Sequence, residues 1–246
     1  MENKKKVILC GYHWTGCKAL ELLLAQGYEV FVYTHETGSS CPDLEGLCVK
    51  KGVPYSLEKI SADNMPFVPD MICSIYYRYI IGKEVIERVG GKIFNLHPAL
   101  LPKYRGCSSL TWAIINGEKE CGFTFHYVDS GCDTGCVIVQ KRIPIEDFDT
   151  QLTLYNRVMF ESMNEFLTVC EKVLAGEPGW EQVGESSCYK RGCPYDGVID
   201  PSWDDQKTER FIRAMIYPPY KPAEAGGKCF FTMKEYEAYR QLYAAK

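Results

Sequence analysis

The chain has 246 residues, 46% of them hydrophobic, and a formal net charge of −4 at pH 7. Its length and composition allow one α/β domain with a proper core, or such a domain with an appendage. The negative charge argues against nucleic acid as the main ligand, and no apolar run approaches the length of a membrane span. The thirteen cysteines are scattered and contain no CxxC pair, so we expect reduced thiols, a cytoplasmic location and no metal site.

Apolar runs and helical periodicity alternate through the first half of the chain. They predict strands at 6–11, 29–34, 53–55 and 71–77, another in the run KIFNLHP, and helices at 16–26, at 43–51 and up to 88. The stretch GYHWTG after the first strand is not a phosphate loop, because Cys17 stands where that loop has its lysine. We interpret it as a strand-to-helix turn. The alternation predicts an α/β fold with a Rossmann-like, mostly parallel sheet and helices on both faces.

The second half of the chain continues this pattern and then changes character. It predicts helices at 108–116 and about 150–174, and strands at 122–128 and 137–145. From Gly179 onward turns and aromatic residues dominate, with a helix at 207–216, a short strand or two and a terminal helix. We therefore predict a main domain over 1–179 that holds the active site. A small C-terminal α+β appendage over 180–246 would serve substrate binding or packing.

Three polar side chains stand where a fold of this kind places its ligands. Asn95 and His97 are two apart at the end of a strand, so they share a face, and Pro98 stops the strand there. Asp133 lies in a glycine-flanked loop that can return a carboxylate to the imidazole. A proton-moving imidazole, an orienting carboxylate and an amide donor to an oxyanion suit acyl transfer. Alone, each residue is more simply a strand cap or turn residue; together we expect them within about 3–5 Å of one another.

The segments NLHPALLPKYRG and HYVDSGCDTG resemble the signature of the 10-formyltetrahydrofolate-dependent formyltransferases. The resemblance is strong from about residue 70 to 160, with small departures at Ala99 and Cys132. It implies that Asn95, His97 and Asp133 form the catalytic set. It also implies 10-formyltetrahydrofolate as the formyl donor and co-substrate.

The same resemblance places the folate along residues 74–81 and along the loop that leads to Asp133. On this side we predict contacts from Ser74, Tyr79, Ile80, His126 and Asp129. The alternative for the residues near 74–81 is ordinary packing at a strand end. For His126 it is a structural role within its strand.

The amine substrate is expected on the other side of the catalytic residues. We predict that it contacts Tyr12, His13, Trp14, Arg105, Tyr189 and Tyr220. Aromatic and cationic side chains suit a sugar ring that carries a phosphate or a carboxylate, through stacking and charge-assisted hydrogen bonds. The alternatives are packing within the first turn and anchoring of the Arg105 side chain to backbone carbonyls.

The tail separates the branches of the family. Its DG, IRA and PPY segments at 196–197, 212–214 and 218–220 resemble the amino-sugar formyltransferases. From Glu181 onward ten Lys and Arg residues balance ten Asp and Glu residues, which suits tRNA poorly. We therefore predict N-formylation of an amino sugar, nucleotide-activated or of a nonulosonic-acid pathway, with no nucleic acid or membrane partner and a homodimer left open. The alternatives are a methionyl-tRNA or purine-pathway formyltransferase, a formyl-folate hydrolase, or a non-catalytic folate-binding protein.

Overall fold

The computed structural model describes residues 4–38 and 42–243. In chain order the strands are β1 Lys6–Gly11, β2 Glu29–Tyr33, β3 Tyr55–Ser56, β4 Met71–Ile75, β5 Ile93–His97, β6 Arg105–Gly106, β7 Glu120–Tyr127, β8 Val137–Pro144, β9 Cys188–Tyr189, β10 Ala223–Ala225 and β11 Lys228–Phe230. The helices are α1 His13–Ala25, α2 Leu44–Lys51, α3 Lys83–Arg88, α4 Ser109–Ile115, α5 Gln151–Ala175, α6 Asp205–Ala214 and α7 Met233–Tyr243. The order of these elements follows the predicted alternation.

These residues form two compact units. The first unit comprises the residues up to His97, Phe123–Lys141 and Met159–Gly184; the second comprises Pro98–Gly122, Arg142–Val158 and the residues from Glu185 onward. This division differs from the one at 179/180 that the sequence suggested, because two segments from the middle of the chain pack with the tail. Strand β6 pairs with β9, and α4 packs against α6.

A seven-stranded sheet is the frame of the first unit. Its spatial order is β3-β2-β1-β4-β5-β7-β8. The pairs from β3 to β5 are parallel, whereas β7 runs antiparallel to β5. The predicted mostly parallel α/β fold is therefore confirmed. The chain adds strands in opposite directions from β1 and β4, and such a switch point is where open α/β sheets bind ligands.

The central strands owe their position to continuous apolar runs. All five residues of β4 are buried, and so are the last five of β1. Strands buried on both faces read as unbroken apolar runs, which is why the sequence predicts them well. The long helix α5 adds fully buried side chains along one stripe, including Leu154, Val158, Phe166 and Val173.

Helix α1 begins three residues earlier than predicted. It starts at His13, and only Tyr12 separates it from β1, because the backbone N–H of Gly16 already donates to the Tyr12 carbonyl. His13 and Trp14 therefore lie in the first turn of the helix and not in a longer loop. The periodic leucines mark the buried face of a helix but not its first turn, which explains the error.

The second unit is a small α+β assembly. It contains the parallel pair β6–β9, the antiparallel hairpin β10–β11 and the packed helices α4 and α6. Asp149 is fully buried, and Arg157 and Thr153 both donate to its carboxylate. The buried charge is thus paired, as burial requires.

No helix within the described ranges is long and apolar enough to cross a membrane. The twelve cysteines in those ranges are all free thiols, and burial raises the pKa of the Cys48 thiol to about 12. The same part of the chain holds no group of three His, Cys, Asp or Glu side chains arranged to bind a metal ion.

Candidate active site

Three neighbouring strands of the first unit place polar side chains in one row. Strand register sets Ser74 of β4 beside Asn95 of β5, and Asn95 beside His126 of β7. The Ser74 hydroxyl donates to Asn95 Oδ1 at 2.8 Å, and Asn95 Nδ2 lies 3.3 Å from His126 Nε2. Ser74 and His126, both predicted as folate contacts, thus adjoin the amide of Asn95.

Asp133 lies against two imidazoles. Its Oδ2 is 3.5 Å from His97 Nδ1, and its Oδ1 is 3.4 Å from His126 Nε2. The structure therefore brings Asn95, His97 and Asp133 into one network, with His126 between the amide and the carboxylate. His97 is only 5% exposed, so its imidazole is largely shielded from water. In such a partly desolvated place, charge and hydrogen bonding act more strongly than in water.

The loop that carries Asp133 is held by contacts on both of its ends. Asp129 Oδ1 accepts hydrogen bonds from Gly131 N at 3.0 Å and from the Thr134 hydroxyl at 2.6 Å. Gln182 Nε2 donates to the carbonyls of Asp133 and Gly135, at 2.8 and 2.9 Å. Asp133 itself adopts φ +53°, a left-handed conformation that aspartate tolerates better than most residues.

These loop contacts bear on two residues of the sequence analysis. Asp129, predicted as a folate contact, orders the loop through an Asx-type turn. Gln182 was not identified from the sequence, because its distance of 49 residues from Asp133 gives no local signal.

An aromatic cluster surrounds the first turn of α1. The Tyr12 ring stacks on His35 with centroids 3.9 Å apart, and both Tyr12 and His13 adjoin the ring of Tyr76. Within the described residues the buried indole N–H of Trp14 has no hydrogen-bond partner. A buried donor without an acceptor costs about 1–3 kcal/mol, so a bound ligand or water at this place would stabilise it. His35 had no signal in the sequence beyond its place at the end of β2.

The segment after β4 presents the remaining predicted folate contacts. Tyr79 packs its ring edge against Tyr77 and His35, with the guanidinium of Arg78 over its face. Ile80 is 82% exposed. An exposed apolar side chain and an aromatic ring are both groups against which a heterocycle can pack.

The other three predicted acceptor contacts belong to the second unit. Arg105 opens β6, where its backbone N–H donates to the Ser187 carbonyl. The Tyr189 ring packs against Trp112 and Tyr104, with centroids 4.6 and 5.7 Å apart. Tyr189 is thus part of the packing of its own unit, whereas Tyr220 is 69% exposed.

His35 makes the stability of the first unit depend on pH. Burial, with a smaller effect from the nearby Arg78 charge, lowers its pKa to about 4. Between about pH 6.5 and 4 the unfolded chain binds a proton at this ring and the folded chain does not, so stability falls as the pH falls.

We expect the melting temperature to drop from pH 7 to pH 5, and to drop less in His35→Gln. Thermal melts at the two pH values measure this, and equal drops in both proteins would contradict it. Burial also lowers the pKa of His13, which gives both proteins the same residual slope.

Comparison with known proteins gives a consistent assignment. The Formyl transferase family model matches residues 52–170. A protein named GDP-perosamine N-formyltransferase, from Brucella melitensis biotype 1, is 35% identical over 247 residues, which cover 96% of this chain and 95% of that protein.

Two crystal structures share the fold. The sugar 3N-formyl transferase WlaRD, determined in the presence of dTDP and 5-N-formyl-THF, superposes with a TM-score of 0.79 at 23% identity, over 93% of this chain and 85% of that one. An N-formyltransferase from Helicobacter canadensis, in complex with folinic acid and dTDP-3-aminofucose, gives 0.77 at 22% identity, over 94% and 87%. The similarity to the Brucella protein, which spans nearly the whole of both chains, establishes that this chain belongs to the formyltransferase family.

Proposed function

We propose that this enzyme transfers the formyl group of 10-formyltetrahydrofolate to the amine of a nucleotide-linked amino sugar. The observation that carries the proposal is the network of Asn95, His97 and Asp133 at the end of β5. The names of its relatives support the substrate class: one is a GDP-perosamine N-formyltransferase, and two structural neighbours are sugar N-formyltransferases determined with dTDP compounds and reduced folates.

The reaction joins the amine nitrogen to the formyl carbon and breaks the bond from that carbon to N10 of the folate. Attack by the neutral amine turns the formyl oxygen into an oxyanion. The amide N–H of Asn95 donates to this oxygen and stabilises the tetrahedral intermediate. When the intermediate collapses, the proton lost by the amine replaces the formyl group on N10, so the atoms balance.

His97 is the group that moves this proton in the proposed mechanism. Its Nδ1 faces the Asp133 carboxylate, so Nε2 is the ring nitrogen that exchanges a proton with the substrates. Asp133 holds the ring in that orientation and stabilises the imidazolium while it carries the proton.

The two substrates meet at the formyl carbon from different sides. We place the folate along residues 74–81 and the Asp133 loop, where Tyr79 and Ile80 offer an apolar surface. In the first unit the acceptor lies against the first turn of α1, where Tyr12 and Trp14 provide rings and a buried donor.

Turnover of 10-formyltetrahydrofolate with and without an amine acceptor tests the proposal. We expect product only with a nucleotide-linked amino sugar, and a panel of such sugars identifies the nucleotide and the amine position. Formyl release without acceptor would indicate a hydrolase. Faster formylation of methionyl-tRNA or of glycinamide ribonucleotide would overturn the acceptor class.

Trp14→Ala is expected to raise KM for the sugar nucleotide about tenfold and to leave KM for formyl-folate within about twofold, because only one substrate loses contacts. Initial rates with each substrate varied in turn measure the two constants. Trp180→Ala is a matched control, since this half-exposed indole follows α5 and its backbone pairs with Val137 of β8. Equal changes of both constants in Trp14→Ala would show that the two sides are assigned wrongly.

We also infer a cytoplasmic location, because an enzyme with twelve free thiols in its described part suits a reducing compartment. A homodimer stays a prediction, and light scattering of the purified protein decides it.

A further inference from the structure

His126 has a hydrogen-bonding pattern that places a hydrogen on one of its two ring nitrogens. Its Nδ1 lies 2.8 Å from the backbone carbonyl oxygen of Tyr127. A carbonyl oxygen can only accept, so Nδ1 carries the hydrogen, and in the neutral ring Nε2 is left as an acceptor. The side chain is 3% exposed, so water competes little for this nitrogen.

The acceptor nitrogen of His126 faces the amide nitrogen of Asn95. That amide is held at both ends: its oxygen accepts from the Ser74 hydroxyl at 2.8 Å, and its nitrogen lies 3.3 Å from His126 Nε2. One amide hydrogen is then used by His126. The second hydrogen of the same NH₂ group has a fixed direction, and an amide turned by 180° would present its oxygen to the acceptor nitrogen instead.

We propose that His126 is a positioning residue that acts through Asn95. It holds the amide so that the NH₂ group, and not the oxygen, points to the formyl oxygen. The inference rests on the proposed function, because it assigns Asn95 as the oxyanion donor. It replaces a direct folate contact as the role of His126. Ser74 supports the same orientation from the oxygen side, although the sequence suggested a folate contact for this residue too.

Asp133 adds a constraint to this arrangement. Its Oδ1 lies 3.4 Å from the same Nε2, so a proton on that nitrogen would turn His126 into a donor to the carboxylate. The ring would then no longer accept from Asn95. The orientation of the amide therefore requires the neutral Nδ1–H form of His126. In that form the Asp133 carboxylate accepts a hydrogen bond from His97 and not from His126.

Kinetics of His126→Ala test the role. We expect kcat to fall about 10- to 100-fold, part of the loss that follows removal of an oxyanion donor, while KM for formyl-folate stays within about twofold. His126→Gln, which can place an acceptor near the former Nε2, is expected to recover part of the rate. Glu120→Ala is the matched control: Glu120 is an exposed residue of β7, the strand that carries His126, and its carboxylate accepts a hydrogen bond from Arg142 at 2.9 Å.

A double-mutant cycle separates action through Asn95 from an independent effect. In an Asn95→Ala background, His126→Ala should lower kcat by less than about twofold, because the group that it positions is already absent. Additive losses would overturn the proposal. A raised KM for formyl-folate with unchanged kcat in His126→Ala would overturn it too, and would favour the direct folate contact predicted from the sequence.

Nitrogen NMR gives a readout that does not depend on turnover. The chain has only four histidines, so protein labelled with ¹⁵N-histidine gives few ring signals to assign. We expect the Nδ1–H tautomer of His126 at neutral pH, with an Nε2 signal that shifts in Ser74→Ala and in Asn95→Ala. An Nε2–H tautomer or an imidazolium would overturn the inference. Absence of formyl transfer by the wild-type protein would instead count against the proposed function, and the NMR result would still decide the tautomer.

Discussion

His97→Ala and Asn95→Ala are each expected to lower kcat for formyl transfer by about 100-fold or more while the protein still folds. The His97→Ala substitution removes the group that carries the proton from the amine to N10. The Asn95→Ala substitution removes the hydrogen-bond donor to the oxyanion. Single-turnover rates with saturating substrates measure the chemical step directly.

The folded state of the variants is checked by their melting temperatures. Asn164→Ala serves as the control for loss of an amide, because Asn164 is an exposed residue of α5 whose amide donates a hydrogen bond to Glu161 at 3.4 Å. We expect wild-type kcat in this control. Wild-type kcat in His97→Ala or in Asn95→Ala would remove that residue from the mechanism.

The part of this site that could be predicted lies within short stretches of sequence. Residues two apart in a strand share a face, so Asn95 and His97 could be placed together, and Pro98 located the end of the strand. Their side chains do lie in one network with Asp133. The resemblance of two motifs supplied the family, which the comparison confirms.

The rest depends on contacts between segments that are distant in the chain. The row of Ser74, Asn95 and His126 is set by the register between three strands. The register between strands that are distant in the chain cannot be predicted from the sequence alone. Antiparallel pairing of β7 with β5 brings His126 beside Asn95, which turns a predicted folate contact into a candidate for positioning the amide. The segments that form the second unit could not be predicted for the same reason, since β6 pairs with β9 across about eighty residues of chain.

Gly135 lies where the Asp133 loop has no room for a side chain. A Cβ at this position would lie 1.8 Å from the carbonyl oxygen of Tyr127, a separation that no side chain can occupy. The clash is with the backbone of β7, so the loop must move rather than a flexible side chain. Asp133 is two residues away, and its contacts with His97 and His126, at 3.5 and 3.4 Å, would lengthen with that movement.

Gly135→Ala is therefore expected to lower kcat about 100-fold, since a displacement of about 1 Å at a catalytic group can have that effect. Gly38→Ala is the control, because an added Cβ at Gly38 meets no atom of the described residues within 4 Å. Gln182→Ala tests the same loop without adding atoms: it removes the donor to the carbonyls of Asp133 and Gly135 and should lower kcat about tenfold with little change in melting temperature. Because Gln182→Ala cannot clash, it remains informative if Gly135→Ala fails to fold. Wild-type kcat in Gln182→Ala, and in a folded Gly135→Ala, would mean that the position of the Asp133 carboxylate does not limit the reaction.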